Sequence, residues 1–110
     1  MMNIEKWQSQ IRKGTLEFII LLTLRKEEFY GYELIKKIKS TIEIETSEGT
    51  IYPILTRLKT LAYVTTRWDN PESGMPRKYY KITNEGNKML SLMTAEWKSY
   101  SGSINRLIED

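Results

Sequence analysis

The 110-residue chain contains no cysteine and no histidine. The first absence excludes disulfides, thiol nucleophiles and thiolate metal sites. The second removes the usual proton shuttle at neutral pH, the Ser/His triad and most zinc sites. No phosphate-cradling glycine loop is present, and no two carboxylates fall at a spacing suited to acid/base work. An enzyme is therefore the least expected class, and neither a cofactor nor a metal is expected. Long hydrophobic runs are also missing. The longest, LEFIILLTL at 16–24, is well short of the about 20 residues that span a bilayer. With no recognisable signal peptide, the expectation is a cytoplasmic protein with no membrane contact.

What is present fits one soluble domain of 13.0 kDa, 40% hydrophobic and 28% charged. A monomer this small buries only roughly 65% of its unfolded surface, which favours association with a partner subunit. The net charge of +3 is unevenly spread. Residues 1–46 carry eight basic and seven acidic side chains, residues 47–88 seven and four, and residues 89–110 two and three. A basic excess between near-neutral flanks is the footprint of a nucleic-acid reader, and equally of a solvated surface.

Along the chain, Ile4, Trp7 and Ile11 predict a short amphipathic helix that breaks at Gly14. A buried helix over 16–24 follows, capped by Thr15 with Glu17 in its first turn. Tyr30-Gly31-Tyr32 opens another helix, with Leu34, Ile35 and Ile38 inward and Lys36, Lys37 and Lys39 outward. Residues 41–46 (TIEIET) alternate like a strand or an extended connection. Ser47-Glu48 then starts a helix with the buried stripe Ile51, Leu55, Leu58 and Leu61, and Pro53 is tolerated near its first turns.

After Ala62 the period changes. Residues 63–69 and 77–83 are rich in β-branched and aromatic side chains, and NPESGMP between them is dense in turn formers. From about Asn84, capped by Thr83 or Asn84, a last helix carries Leu90, Met93, Trp97, Tyr100, Ile104 and Leu107 at spacings of 3, 4, 3, 4 and 3. It is roughly 40 Å long at 1.5 Å per residue, with Gly102 as a point to kink or fray. Such a seam exceeds what a small domain covers, so it predicts a symmetric dimer. The expected fold is mainly α with a small β-hairpin: a winged helix-turn-helix over 1–83 and a C-terminal dimerisation helix over 84–110.

Three segments in this order, YGYELIKKI (30–38), GTIYPILTRL (49–58) and SGMPRKYYKIT followed by EG (73–86), resemble the PadR family of bacterial transcriptional regulators. The single C-terminal helix is similar to the short subfamily, some of whose members respond to multidrug-type aromatic compounds. Ala62 stands where many relatives have glycine. The resemblance implies a homodimer that binds a pseudo-palindromic double-stranded DNA operator, usually as a repressor, with the helix after Ser47 in the major groove and the hairpin tip on the backbone or in the minor groove. The residues agree: with Ile51, Leu55 and Leu58 inward, that helix turns outward Gly49, Thr50, Tyr52, Pro53, Thr56 and Arg57.

Each candidate has a plainer reading beside it. Tyr52 either contacts DNA or packs half-buried on the neighbouring helix. Arg57 either holds a base or phosphate or pairs with an acid. Arg77 and Lys78 flank the wing tip and suit phosphates, but strand alternation turns them to opposite faces. Tyr79 and Tyr80 are assigned to core and hairpin packing, Trp68 to structure, and Lys36, Lys37 and Lys39 to a solvated face. Trp97 is either an interface anchor or, as the resemblance implies, one wall of a slot for a planar aromatic effector, with Met93 and Tyr100 beside it. Trp7 lines the same slot or clamps the partner's last helix. The alternatives to a ligand-released repressor are an effector-independent DNA-binding dimer and a winged helix that binds protein instead of DNA.

Overall fold

The computed structural model describes residues 3–42, 46–72 and 74–110. The order is α1 (Ile4–Leu24), β1 (Phe29–Tyr30), α2 (Gly31–Ile42), α3 (Glu48–Thr60), β2 (Val64–Asp69), β3 (Arg77–Ile82) and α4 (Asn84–Glu109). The mainly α chain with a hairpin wing is as expected.

The expected break at Gly14 does not occur, and α1 is one helix of 21 residues. A mid-helix glycine costs only about 1 kcal/mol relative to alanine. The apolar face Ile4, Trp7, Ile11 continues to Phe18 in the same register, so both halves gain from staying helical. Thr15 is accordingly not a cap: its hydroxyl donates to the Ile11 carbonyl one turn back, at 2.8 Å. The cap is Asn3, whose side chain accepts from the Lys6 amide.

Tyr30 does not open a helix either. Phe29 and Tyr30 pair antiparallel with Tyr80 and Tyr79, forming a third strand that leaves the sheet in the order β1-β3-β2. Two residues are too few for alternation to reveal. In the 41–46 segment, Thr41 and Ile42 are the last residues of α2 rather than part of a strand, and 43–45 lie outside the described residues.

The core gathers Leu16, Ile20, Leu21 and Leu24 from α1, Leu34, Ile35 and Ile38 from α2, Ile51, Leu55 and Leu58 from α3, Val64, Tyr80 and Ile82 from the sheet, and Leu90 from α4. Leu61, expected in the buried stripe, is instead 50% exposed at the C-cap of α3. The chain turns there and carries the side chain off the inner face. Ala62 takes φ +65°. The Ala62 amide bonds the Lys59 carbonyl at 2.9 Å and the Tyr63 amide bonds the Leu58 carbonyl at 3.0 Å, which is the paired closure of a Schellman turn. Glycine is favoured at that residue, and alanine holds it at a cost of roughly 1 kcal/mol.

Thr83 ties this turn to α4. Its hydroxyl donates to the Ala62 carbonyl at 2.6 Å and accepts from the Gly86 amide at 2.9 Å, while its own amide bonds the Tyr63 carbonyl at 3.1 Å. Gly86 sits so close to β2 that an added Cβ would overlap the Tyr63 carbonyl oxygen and approach Ile82 Cγ1 to 2.7 Å. The first turns of α4 thus belong to the winged core, and the remainder of its 26 residues, about 39 Å in all, runs beyond it through Gly102 without interruption.

Candidate nucleic-acid interface

Helix α3 presents its predicted outer residues in two groups. Ser47 is its N-cap, and Gly49, Thr50, Pro53, Thr56 and Arg57 are exposed. Small and hydroxylated side chains here leave the helix narrow enough to enter a groove and able to reach base edges or phosphates. Tyr52 is turned away from this group. Its half-buried ring lies over Gly31, where an added Cβ would fall 2.6 Å from Tyr52 Cε1 and 2.7 Å from Cζ, so the glycine of the YGY motif is what lets α2 and α3 approach. Burial, followed by the nearby Glu48 charge, raises the Tyr52 phenol above its ordinary pKa, and burial does the same at Tyr80. Arg57 pairs with Glu17 on α1, a partner that spacing along α3 alone could not reveal. Both groups are exposed, so the pair contributes at most about 1 kcal/mol and leaves the guanidinium able to take a phosphate.

The wing separates its two cations as alternation requires. Lys78 stands on the core side, its Nζ 6.0 Å from the Trp68 ring across the strand pair and 5.7 Å from Tyr80. Arg77 stands on the outer side, 4.9 Å from the Tyr30 ring. Tyr79 is not core: it packs edge-on against Tyr30 on that outer face, beneath the Arg67 guanidinium at 4.4 Å. The hydrogen bond from Arg67 holds the Glu28 carboxyl below its usual pKa. Trp68, assigned to structure, is 60% exposed near the hairpin tip, because the hairpin projects past the core there.

The sequence profile of the transcriptional regulator PadR-like family matches residues 20–92, from the second half of α1 to the third turn of α4. The chain belongs to the PadR-like family. Solved PadR-like proteins are correspondingly similar. A PadR-like transcription factor from Bacteroides fragilis is 40% identical, with 93% of this chain and 98% of that one covered, at a TM-score of 0.78. A PadR family transcriptional regulator from Eggerthella lenta is 33% identical over 96% and 92%, at 0.85. A PadR-like transcriptional regulator from Bacillus cereus is 36% identical over 92% and 98%, at 0.83. This PadR-like chain is a DNA-binding transcriptional regulator and not an enzyme. No helix among the described residues is long and apolar enough to cross a membrane.

The distal half of α4 lies beyond the segment that the PadR-like profile matches. There Trp97, Tyr100 and Met93 line an open groove of about 440 Å³ against Phe18 of α1. The Phe18 and Trp97 ring centroids are 6.2 Å apart. Phe18 was not anticipated, although it continues the Ile11 face of α1. Trp7 does not line this groove and is 49% exposed further along α1. Of the heptad positions, Leu90 is 6% exposed and fills the protomer's own core, and Met93 packs partly against that core. Trp97, Tyr100, Ile104 and Leu107 remain exposed.

Proposed function

We propose that this protein is a homodimeric repressor whose α3 helices enter successive major grooves of a pseudo-palindromic operator, with the wings on the flanking backbone. The observation that carries the dimer is the apolar surface left without a partner within one protomer: Trp97, Tyr100, Ile104 and Leu107 on α4, and Ile4, Trp7 and Ile11 on α1. A patch of this kind is rarely left in water, and a two-fold axis would bury both stripes at once. On this reading the contacts to DNA come from Ser47, Gly49, Thr50, Pro53, Thr56 and Arg57 with Arg77 and Lys78. Tyr52 supports the helix from behind.

The groove at Trp97 is the proposed seat of a planar aromatic effector. Its aromatic walls and open mouth support this reading: in a dimer the two grooves would face each other across the axis, and a flat molecule between them would change the spacing of the α3 helices, which must stay near 34 Å. Sedimentation of the full chain should give twice the 13.0 kDa chain mass. Fluorescence titration with planar cationic and phenolic compounds, alongside binding to DNA from the region upstream of its own gene, tests the rest. Saturable quenching that moves DNA affinity and is lost in Trp97→Ala supports an effector-released repressor. DNA binding with no quenching removes the effector and leaves a plain dimeric regulator.

A further inference from the structure

The basic excess in residues 47–88 draws attention away from α1, yet the fold brings two α1 cations to the side of α3. A groove of about 400 Å³ between the helices is lined by Arg12 and Lys13 of α1 and by Thr50 and Arg57 of α3. Among the described residues neither Arg12 nor Lys13 lies within ion-pair distance of a carboxylate, and Glu17 pairs with Arg57. Thr46 lines the same groove, and its hydroxyl is shielded from solvent with no hydrogen-bond partner among the described residues. On a helix of 3.6 residues per turn, Arg12 and Lys13 lie on the face opposite Trp7, Ile11 and Phe18, so a dimer built on the apolar stripe leaves the groove open.

Resting on the DNA-binding reading above, we propose that this groove seats one DNA backbone phosphate per protomer, held by Arg12 and Lys13 and shared with Arg57. Charge selects the occupant: two cations with no ion-pair partner among the described residues line a groove beside a helix whose outer face meets base edges, and the nearest anions along the DNA path are the phosphates at the groove wall. The contact carries no sequence information and fixes how deeply α3 enters.

The test is the salt dependence of DNA affinity for the full chain and the variant R12Q/K13Q, measured on the upstream duplex and on an unrelated duplex. Each phosphate contact contributes about 0.9 to the slope of log affinity against log salt, which is roughly fivefold in affinity at about 0.15 M salt. For a dimer the double variant should flatten the slope by about 2 and weaken binding roughly thirtyfold on both duplexes. The charge-preserving variant R12K/K13R should restore the parent slope, and melting temperature and dimer mass should match the parent throughout. A slope and affinity equal to the parent's, or a loss confined to one duplex, overturns the phosphate seat while leaving DNA binding by α3 intact. If the parent itself binds neither duplex, the DNA-binding reading falls and the seat falls with it.

Discussion

Gly86 is the position where one added methyl group should be felt most. In Gly86→Ala the new Cβ would overlap the Tyr63 carbonyl oxygen and lie 2.7 Å from Ile82 Cγ1. The first obstacle is backbone, held by the Thr83 amide at 3.1 Å, and does not swing aside like a side chain. Relief requires α4 to lift from the sheet by about 1 Å, and overpacking of this kind costs about 1–3 kcal/mol. Alanine recovers up to about 1 kcal/mol through helix propensity, so the net loss is about 1–2 kcal/mol. For a domain of this size that is a fall of roughly 4–8 °C in Tm, measured by calorimetry at one fixed protein concentration because the proposed dimer would make Tm depend on concentration. Gly102→Ala on the same helix is the control: its nearest neighbour is the flexible Arg106 Nη1 at 3.8 Å, so only the propensity gain remains and Tm should rise. A Gly86→Ala protein as stable as its parent, beside the expected rise at Gly102, would refute the claim that α4 is seated by backbone contact.

Other substitutions test separate parts of the structure. Ala62→Gly, which relieves the φ of +65°, should raise stability by about 0.5–1 kcal/mol in urea unfolding. Thr83→Val removes both the α4 cap and the bond to the Ala62 carbonyl and should cost about 1–2 kcal/mol in the same assay. Glu28 has its carboxyl held below the usual value by Arg67, so the pair stabilises the fold above the ordinary carboxylate pKa and loses that contribution as pH falls through the folded value. The Tm difference between the parent and Arg67→Gln should therefore be largest near neutral pH, shrink toward pH 3 and shrink again in high salt. A difference that is constant with pH would show that the pair does not contribute to stability.

The helices were legible because their apolar positions recur at the helical period and Ser47 and Thr83 mark the starts of α3 and α4, and the hairpin because the turn-rich 70–76 segment separates its strands. Three features were not. Gly14 looks like a stop, yet the face running from Ile11 to Phe18 outweighs it. Strand β1 consists of two residues and exists only because β3 offers an edge. The heptad over α4 reads as one seam, but its first position, Leu90, is spent within the protomer; a repeat records which side of a helix is apolar and not what covers it. At the interface the outer residues of α3 were readable from their period, while Arg57–Glu17, Arg67–Glu28 and the α1 cations beside α3 join residues far apart in the chain.

The knot at Thr83 makes a lever of the molecule. The end of α3, the start of the wing and the root of α4 share a single residue as pivot, while the far end of α4 stands about 39 Å away. A rod of that length moves its tip by roughly 0.7 Å per degree of tilt at the pivot. Read in reverse, displacements of an ångström or two among the distal turns reach the pivot as only a few degrees. The two wings of an assembly of the proposed kind are therefore set finely by the distal contacts and coarsely by the packing at Gly86, and relatives that differ at Gly86 or Ala62 should differ in wing spacing even where their distal helices are the same.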